Sequence, residues 1–462
     1  MTIDVLPDVA LLEIFNFYVD EAWIEAWYTL VHVCQKWRNV VFKSPRRLNL
    51  RLYCGASTPV RETLDVWPPL PIVVKVYTAE TWGVDNIIAT LEHNDRICKV
   101  ILYDVPIPQL EKVLAAMQQP FPTLTFLQLW SGDETTLVVP SSILGGFAPS
   151  LQTLILNRIP FPGLRKVLLS ATQLVHLYLG LIPHSGYISP EAMVTCLSVL
   201  TRLESLTIGF ESPRSRPDRK SRRPQTQTRA LLPTLTNLQF SGVAEYLEDV
   251  VIGIDAPLLD RLHITFFHQL IFDTPQLIQF ISRAPNFKAL DETRVLFSHK
   301  DVRVKLPLAQ TFDGVLRLGI SCRQSDWQLS SLAQVCSSSF PQFLIPAVEH
   351  LYIQSGSWRM QWQDDIESNQ WLEIFHPFSG VKDLYISREF APHIAPALQV
   401  LVGERVMEVL PALRTLFLEE THPSDPAQET IEQFATARRI ASHPIAVSHW
   451  ESRKDEWYEF DS

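Results

Sequence analysis

The chain has 462 residues and a mass of 52.8 kDa, enough for about two to four domains or for one long repeat array. Apolar residues make up 46% and charged residues 19%, so a large core can form and a globally disordered chain is excluded. Lys and Arg number 40 against 50 Asp and Glu, a net charge of −10. This balance argues against a nucleic-acid-binding protein, which needs a basic face to neutralise phosphate.

Cysteine spacing and the N-terminal residues point to an intracellular location. The six cysteines are at least 14 residues apart and form no CxxC pair, which predicts ordinary buried thiols. No basic region precedes the apolar residues of MTIDVLPDVALLEIF, so a secretory signal is not expected. The uncharged stretches 135–157 and 167–190 are interrupted by Pro and Gly, so no membrane span is expected. We expect a protein of the cytoplasm, the nucleus or both.

The first fifty residues predict three short helices. Pro7 precedes a run in which Leu11, Leu12, Ile14, Phe15 and Tyr18 follow helical spacing. A second, aromatic-rich run spans 23–33, and a third spans 35–42 and ends before Ser44-Pro45. Three helices in about 45 residues bury little core. Their apolar surplus therefore implies a partner, or docking on the next domain.

The same segment carries a motif with several fixed positions. Leu6-Pro7 opens it, and Leu12 and Ile14-Phe15 follow in the first helix. The run LVHVCQKWR, from Leu30 to Arg38, then has the form LxxVCxxWR. Residues 1–50 therefore resemble an F-box. The sequence of residues 27–54 is similar to that of F-box proteins of mushroom-forming fungi, in which leucine-rich repeats follow the F-box. The chain departs from the pattern at Val9, where many F-boxes have an acidic residue; here Asp8 precedes it.

The resemblance implies the substrate-recognition subunit of a Skp-cullin-F-box ubiquitin ligase. The F-box would bind a Skp-family adaptor, and through it a cullin, while ubiquitin transfer would be done by partner subunits. The residues implied to face the adaptor are Leu6, Pro7, Leu12, Ile14, Phe15, Val33, Cys34 and Trp37. A second role stays open for some of them, which is to hold the three helices together.

A hexapeptide of the form apolar-x-x-apolar-x-apolar recurs after a connecting segment and first strand layer at 51–95. Its eleven copies are ICKVIL, LTFLQL, LQTLIL, LVHLYL, LESLTI, LTNLQF, LDRLHI, VLRLGI, VEHLYI, VKDLYI and LRTLFL. The fourth position falls at 100, 127, 154, 177, 206, 238, 262, 318, 351, 384 and 416. The step from 262 to 318 is twice the usual length, which predicts a degenerate unit near Leu290 (FKAL, 287–290).

The pattern of buried and exposed residues in this unit is that of a leucine-rich repeat. The fourth and sixth residues of the hexapeptide point into the core and the fifth points out. A strand this short cannot bury its apolar side alone, so neighbouring units stack in parallel and share one core. Helix-like stretches such as 108–119 and 274–285 lie between strands. The predicted fold is α/β: a three-helix F-box followed by an irregular, curved leucine-rich-repeat solenoid with parallel strands over 96–420.

One segment does not follow the repeat. Residues 212–229, SPRSRPDRKSRRPQTQTR, contain seven basic residues and one acidic residue, three prolines and no apolar side chain. The composition predicts a disordered insertion between two repeats. A solvated insertion, nuclear import and docking to an acidic partner all remain open for it.

The fifth strand residues would line the concave face of a parallel solenoid, a common binding surface. They include Gln128, Ile155, Tyr178, Thr207, Gln239, His263, Gly319, Tyr352, Tyr385 and Phe417. The last three, Tyr352, Tyr385 and Phe417, form an aromatic run with His350, Asp383 and Thr415 beside them. We expect this run to bind a protein target, since aromatic residues often anchor interfaces. The alternative is that the C-terminal segment folds over it.

No Arg cluster is evident on the strand positions, so a reader of phosphate is not expected. Residues 421–462 depart from the repeat and predict a C-terminal cap and tail, with a helix at 430–441. Trp450, Trp457, Tyr458 and Phe460 would cover the last apolar layer.

Catalytic motifs do not stand out. The chain has no GxSxG, GxxxxGK[ST], GxGxxG or HExxH sequence, so a non-catalytic protein without metal or cofactor is expected. A ligase-independent scaffold is the main alternative, and an enzyme on a repeat scaffold is a weaker one. The scaffold interpretation predicts that repeats cover the helix from Leu6 to Phe15, and the adaptor interpretation predicts an exposed apolar patch there. An enzyme would show a pocket with convergent ionisable groups.

Overall fold

The computed structural model describes most of the chain in two compact units, Met1–Gly186 and Tyr187–Ser462. In both units, most strands are followed by a helix. The described residues are 6–21, 26–77, 83–131, 139–217, 229–269, 271–287, 291–307, 314–322, 325–341, 344–355, 368–419 and 426–451.

The first unit begins with three helices and continues with six strands and four further helices. The helices are α1 (Asp8–Glu21), α2 (Ala26–Val33), α3 (Gln35–Lys43), α4 (Val60–Val66), α5 (Val84–Leu91), α6 (Ile107–Ala116) and α7 (Leu164–Ser170). The strands are β1 (Leu52–Cys54), β2 (Ile72–Val76), β3 (Ile97–Tyr103), β4 (Phe126–Trp130), β5 (Thr153–Asn157) and β6 (His176–Ile182). They pair in parallel in chain order, so spatial order follows sequence order here.

The second unit repeats the alternation with one rearrangement. Its helices are α8 (Pro190–Leu197), α9 (Ala244–Val251), α10 (Pro275–Arg283), α11 (Ser325–Ser338), α12 (Ser368–Phe375), α13 (Ala391–Gln399) and α14 (Pro426–Ile440). Its strands are β7 (Ser205–Phe210), β8 (Ala230–Leu231), β9 (Asn237–Gly242), β10 (Ile254–Asp255), β11 (Arg261–Phe267), β12 (Glu292–Phe297), β13 (Asp301–Pro307), β14 (Val315–Ser321), β15 (His350–Ser355), β16 (Asp383–Ile386), β17 (Thr415–Glu419) and β18 (Ala446–Trp450). The long sheet runs β7-β9-β11-β14-β13-β12-β15-β16-β17-β18, and β8 pairs separately with β10.

The repeated hexapeptide forms the core of both units, as its alternation predicts. The fourth and sixth residues of all eleven copies are buried. They are also in register, so that Leu127 lies between Val100 and Leu154 on the neighbouring strands. Burying a leucine side chain contributes about 1.5–3 kcal/mol, so these stacked columns supply much of the folding energy. The fold is therefore of the leucine-rich-repeat type.

The parallel order of the strands is interrupted after the degenerate repeat that the sequence predicts near Leu290. Residues 288–290 lie outside the described part of the chain, and strand β12 begins at Glu292. Thr293 and Val295 occupy the buried positions of β12, and Thr293 pairs in parallel with Leu351 of β15 rather than with β11. The chain then reverses after Phe297, and β13 runs antiparallel to both β12 and β14. Strand β14 thereby returns beside β11.

The prediction of uniformly parallel strands is wrong at this point. Strand β13 reads DVRVKLP and has no apolar-x-x-apolar-x-apolar form, so the repeat pattern does not reveal it. Its strict alternation, with Val302, Val304 and Leu306 buried, is the signal of an inserted strand. Two successive repeats therefore occupy reversed positions in the sheet, separated by one antiparallel strand.

Two further sequence predictions change in detail. Residues 218–228 of the basic insertion lie outside the described residues, but 212–217 are ordered in a turn in which Ser215 is buried. The C-terminal region continues the repeat, because α14 leads into β18, which pairs in parallel with β17. Residues 452–462, with Trp457, Tyr458 and Phe460, lie outside the described residues. Five of the six cysteines are buried, and Cys34 is half-buried.

A buried carboxylate joins helices α9 and α10. Glu248 Oε1 accepts a hydrogen bond from Leu277 N at 2.7 Å, and Oε2 accepts one from Gln276 N at 3.0 Å. These two donors belong to the first turn of α10, where backbone N–H groups have no partner within the helix. Burial nevertheless raises the pKa of Glu248 to about 7, although the two hydrogen bonds act in the opposite direction.

We expect Glu248 to make stability pH-dependent. A carboxyl whose pKa is about 7 when folded and about 4.5 when unfolded stabilises the fold below pH 4.5 and loses that contribution as pH rises through 7. The Glu248→Gln variant does not titrate there. The free energy of unfolding of wild type minus that of Glu248→Gln should therefore fall by about 3 kcal/mol between pH 4.5 and 8. Urea unfolding at several pH values measures this difference, and a difference constant with pH would contradict the prediction.

Candidate functional site

The three N-terminal helices pack around a small core. Leu11, Leu12 and Phe15 of α1 are buried, and the Phe15 ring lies 4.8 Å from the half-buried ring of Trp37 of α3. Cys34 caps α3, since its Sγ accepts a hydrogen bond from Trp37 N at 3.5 Å. Of the residues implied to face an adaptor, Leu12, Phe15 and Trp37 thus hold the helices together.

The opposite side of α1 is apolar and exposed. Val9 is 64% exposed, Ile14 46%, Phe17 64% and Tyr18 40%, and on α2 Val33 is 52% exposed. At 100° per residue, the four α1 side chains fall within one half of the helix surface, and Leu11, Leu12 and Phe15 fall within the other half. The exposed half also carries Glu13, which is paired with Arg47. We call these four residues the α1 outer face. Monomeric proteins rarely expose so many large apolar groups together, and such patches mark interaction sites.

The residues before α1 are held by two hydrogen bonds. Lys36 Nζ of α3 donates a hydrogen bond to Leu6 O at 2.8 Å, and Leu11 N donates one to Pro7 O at 3.0 Å. Leu6 is half-buried, whereas Pro7 is exposed. The motif does not predict Val9 and Phe17 as site residues, and helical spacing places Tyr18 in the core pattern. The sequence does contain a signal for these residues, because apolar side chains occur on both sides of α1 and only one side can pack into a core.

Helices α2 and α3 attach this segment to the first repeats through aromatic contacts. Trp27 is fully buried and its Nε1 donates a hydrogen bond to Arg51 O at 3.0 Å. Its ring packs edge-on against Trp67 at 5.3 Å and Phe42 at 6.2 Å. Trp67 follows α4 and also contacts Tyr28 at 5.2 Å. The three helices are therefore anchored on one side and leave the α1 outer face open.

The aromatic run predicted for target binding forms a stack across three strands. Tyr352 and Tyr385 lie 4.2 Å apart with ring planes 10° from parallel, and Tyr385 and Phe417 lie 4.4 Å apart at 3°. Burial, followed by the neighbouring Tyr385, raises the pKa of Tyr352, and burial raises that of Tyr385. Both hydroxyls are therefore neutral at physiological pH. We call Tyr352, Tyr385 and Phe417 the aromatic stripe.

Part of the aromatic stripe is covered from the C-terminal side. The Trp450 ring of β18 meets Tyr385 at 5.6 Å and Tyr352 at 5.9 Å, nearly edge-on in both cases. Its Nε1 donates a hydrogen bond to Ile386 O at 3.3 Å. Trp450 thus folds over Tyr352 and Tyr385, which is the alternative that the sequence left open. All three stripe side chains nevertheless keep partial exposure. His350 and Asp383 lie beside it, with His350 Nδ1 3.0 Å from Asp383 Oδ2.

Within the described ranges, no group of three or more His, Cys, Asp or Glu side chains is arranged to hold a metal ion. None of the helices described is both long enough and apolar enough to cross a bilayer. The surfaces that the structure does present are an apolar helix face and a sheet face with aromatic and charged side chains, both suited to binding proteins.

Comparisons with known proteins add little to this description. No family model matches the chain, and no curated protein is similar to it. Among solved structures, the leucine-rich repeat-containing protein LegL7 from Legionella pneumophila is 12% identical, and the match covers 78% of this chain and 96% of that chain. The TM-score is 0.30, so the assignment to the leucine-rich-repeat type rests on the repeats themselves.

Proposed function

We propose that the protein is a substrate receptor of a Skp-cullin-F-box ubiquitin ligase. In this proposal the α1 outer face, with Leu6, Pro7 and Val33, binds a Skp-family adaptor, and the sheet face of the repeats binds a protein target. The protein itself is non-catalytic and works in the cytoplasm, the nucleus or both. The observation that carries the proposal is the exposed apolar face of α1, in a segment whose motif resembles an F-box.

The packing of the first helices favours an adaptor over a purely structural role. A structural remnant would turn its apolar side toward the repeats. Here α2 makes that contact through Trp27 and Trp67, while Ile14 is 46% and Phe17 64% exposed. Val9, which replaces the acidic residue of many F-boxes, extends the same apolar surface at 64% exposure. A helix that presents such a face typically fits an apolar groove on a partner.

The repeats supply a second surface for the target. The aromatic stripe offers flat, rigid side chains, which lose little conformational entropy on binding. Trp450 packs against its edge and belongs to the same surface. Two surfaces on separate parts of the chain are what a receptor needs to hold an adaptor and a target at once.

The test is a pull-down of a purified Skp-type adaptor with the full chain. We expect wild type to bind and the Ile14→Asp, Phe17→Asp double variant to bind at least about 100-fold more weakly, because two charges would enter an apolar interface. Both positions are exposed, so the variant should fold. The matched control is Val66→Asp on α4, an apolar residue that is 74% exposed outside the proposed surface and should leave binding unchanged.

A ligase-independent scaffold is the second candidate, favoured by the anchoring of α2 on the repeats through Trp27. It predicts that folded wild type and folded Ile14→Asp, Phe17→Asp variant both fail to capture the adaptor. In that case the role of the α1 outer face would be to bind some other partner, and the receptor proposal would be withdrawn.

A further inference from the structure

Three aromatic side chains lie at one edge of the sheet in the first unit. Tyr103 ends β3 and pairs with Trp130, the last residue of β4. Tyr77 directly follows β2, and the pairing of Val76 with Leu102 places it beside Tyr103. Tyr77 is 51% exposed, and the other two side chains are half-buried on the outward face. We call Tyr77, Tyr103 and Trp130 the aromatic edge.

The rings of the aromatic edge are tilted against one another. The ring centres of Tyr77 and Tyr103 are 6.2 Å apart with planes at 60°, and those of Tyr103 and Trp130 are 4.9 Å apart at 42°. In the aromatic stripe, by contrast, neighbouring ring planes are within 10° of parallel. Parallel rings in contact fill the space between them, whereas tilted rings leave a wedge-shaped gap. The aromatic edge therefore has two such gaps, one on each side of Tyr103.

Polar groups hold the end of the aromatic edge beside Trp130. Asn157 pairs with Trp130 in the next strand, and its Nδ2 donates a hydrogen bond to the Tyr178 hydroxyl at 3.4 Å. The Tyr178 ring lies over Gly180, where an added Cβ would come within 2.5 Å of it. Asn157 and Gly180 thus fix the direction of the Tyr178 ring. A hydroxyl that accepts one hydrogen bond can still donate its own hydrogen to a carbonyl of a ligand.

The sheet face around the aromatic edge is positively charged. Lys75 Nζ lies 4.8 Å from the centre of the Tyr77 ring, and Lys99 Nζ lies 5.7 Å from that of Phe126. A ring attracts a cation but does not neutralise its charge. Strands β1 to β6 contain no Asp or Glu, and no carboxylate that the structure describes pairs with either lysine. This face therefore attracts acidic ligands, although the chain has a net charge of −10.

We propose that the aromatic edge binds a proline-rich segment of a partner protein in which acidic residues flank the prolines. Such a segment adopts the polyproline II conformation, which has no internal hydrogen bonds and docks in aromatic-lined grooves. Its proline rings would enter the gaps on either side of Tyr103, and its carbonyls would accept hydrogen bonds from hydroxyls such as that of Tyr178. Asp or Glu beside the prolines would lie near Lys75 and Lys99.

The dimensions of the aromatic edge suit a short run of prolines. Polyproline II rises about 3.1 Å per residue, so the first and last of four prolines are about 9 Å apart. Strands β2 and β4 are about 9.6 Å apart, since neighbouring strands are separated by about 4.8 Å. Four prolines lying across the strands therefore reach from Tyr77 to Trp130. This site uses neither the α1 outer face nor the aromatic stripe, so it does not rest on the receptor proposal.

The test measures fluorescence polarisation of three labelled decapeptide libraries with the full chain. The first library has four central prolines with two acidic residues on each side and a random residue at each end. The second has valine in place of proline, and the third has lysine in place of the acidic residues. We expect the first library to bind at least about tenfold more tightly than either of the others, because valine lacks the fixed backbone of proline and lysine would repel Lys75 and Lys99.

Substitutions at the aromatic edge separate the effect of the rings from that of the charges. The Tyr103→Ala, Trp130→Ala variant should bind the first library at least about tenfold more weakly, since aromatic anchors dominate interface energies. Tyr103→Phe with Trp130→Phe keeps two aromatic rings and should keep most of the affinity. Lys75→Gln with Lys99→Gln leaves the rings in place, and it should weaken binding about tenfold and reduce its dependence on salt. Both lysine side chains are at least partly exposed, so this variant should fold.

Lysines elsewhere provide the control for charge. Lys112→Gln with Lys166→Gln removes two exposed cations from α6 and α7 and should leave binding unchanged. Equal binding of the valine library, of the lysine library or of a labelled single-stranded RNA would overturn the proposal, as would full binding by a folded Tyr103→Ala, Trp130→Ala variant. Adaptor capture uses the α1 outer face, so its failure is distinguishable from failure here.

Discussion

Replacement of Arg438 by alanine is expected to lower the free energy of unfolding by about 3 kcal/mol. Arg438 of α14 is buried, and its guanidinium donates hydrogen bonds to Val406 O and Leu413 O, both at 3.2 Å, and to Pro411 O at 3.5 Å. These carbonyls belong to the connection that leads into β17. Without the guanidinium they would be buried with unsatisfied acceptors, and the last repeat would lose its link to α14.

The neighbouring residue provides the control for this measurement. Arg439 is exposed on the same helix, and Arg439→Ala should change the free energy of unfolding by less than about 0.5 kcal/mol. Arg438→Lys should be intermediate, because an ammonium group cannot reach several carbonyls with one planar fork. Denaturant unfolding of the three variants gives the answer. Equal stabilities of Arg438→Ala and Arg439→Ala would show that the buried network is not needed.

Replacement of Trp27 by alanine is expected to weaken the attachment of the N-terminal helices by about 3–5 kcal/mol. Trp27 is fully buried, fills the space between α2 and Trp67, and donates its indole hydrogen bond to Arg51 O. Its removal leaves a cavity and an unpaired carbonyl. Hydrogen exchange should therefore speed up by at least about 100-fold in α2 and α3, while β15 to β17 in the second unit stay protected.

An exposed tryptophan distinguishes this effect from a general loss of aromatic residues. Trp327 is 46% exposed on α11 and stacks on His268 at 4.8 Å. Trp327→Ala should leave the exchange rates of α2 and α3 unchanged. If Trp27→Ala likewise left them unchanged, the helices would not be held to the repeats through this side chain.

Much of the fold could be predicted from the sequence because one local pattern specifies one structural unit. The hexapeptide fixes both the strand and the side that is buried, and Val100, Leu127 and Leu154 stack as the alternation requires. Spatial order is a different matter, since it is set by long-range pairing. Thr293 stands where a leucine is expected, and only its pairing with Leu351 shows that β12 belongs beside β15.

The candidate sites could be predicted only in part. The aromatic stripe follows from the repeat because β15, β16 and β17 pair in chain order, which makes their fifth residues neighbours. The pairing of Lys305 with Arg317 could not be predicted, since these residues meet only through antiparallel strands that the repeat does not encode. On α1, helical spacing places Leu11, Leu12 and Phe15 in the core. It cannot say whether Ile14 faces the repeats or a partner, because that depends on how the helices dock.

The most direct test of the receptor proposal is hydrogen exchange of the full chain with and without a saturating Skp-type adaptor. The proposal predicts slower exchange in α1 and in the C-terminal end of α2 around Val33, and no change in β11 to β17, where the target would bind. The Ile14→Asp, Phe17→Asp variant should show no change anywhere. Absence of protection in α1 of wild type, or protection confined to the strands of the sheet, would contradict the assignment of the α1 outer face to the adaptor.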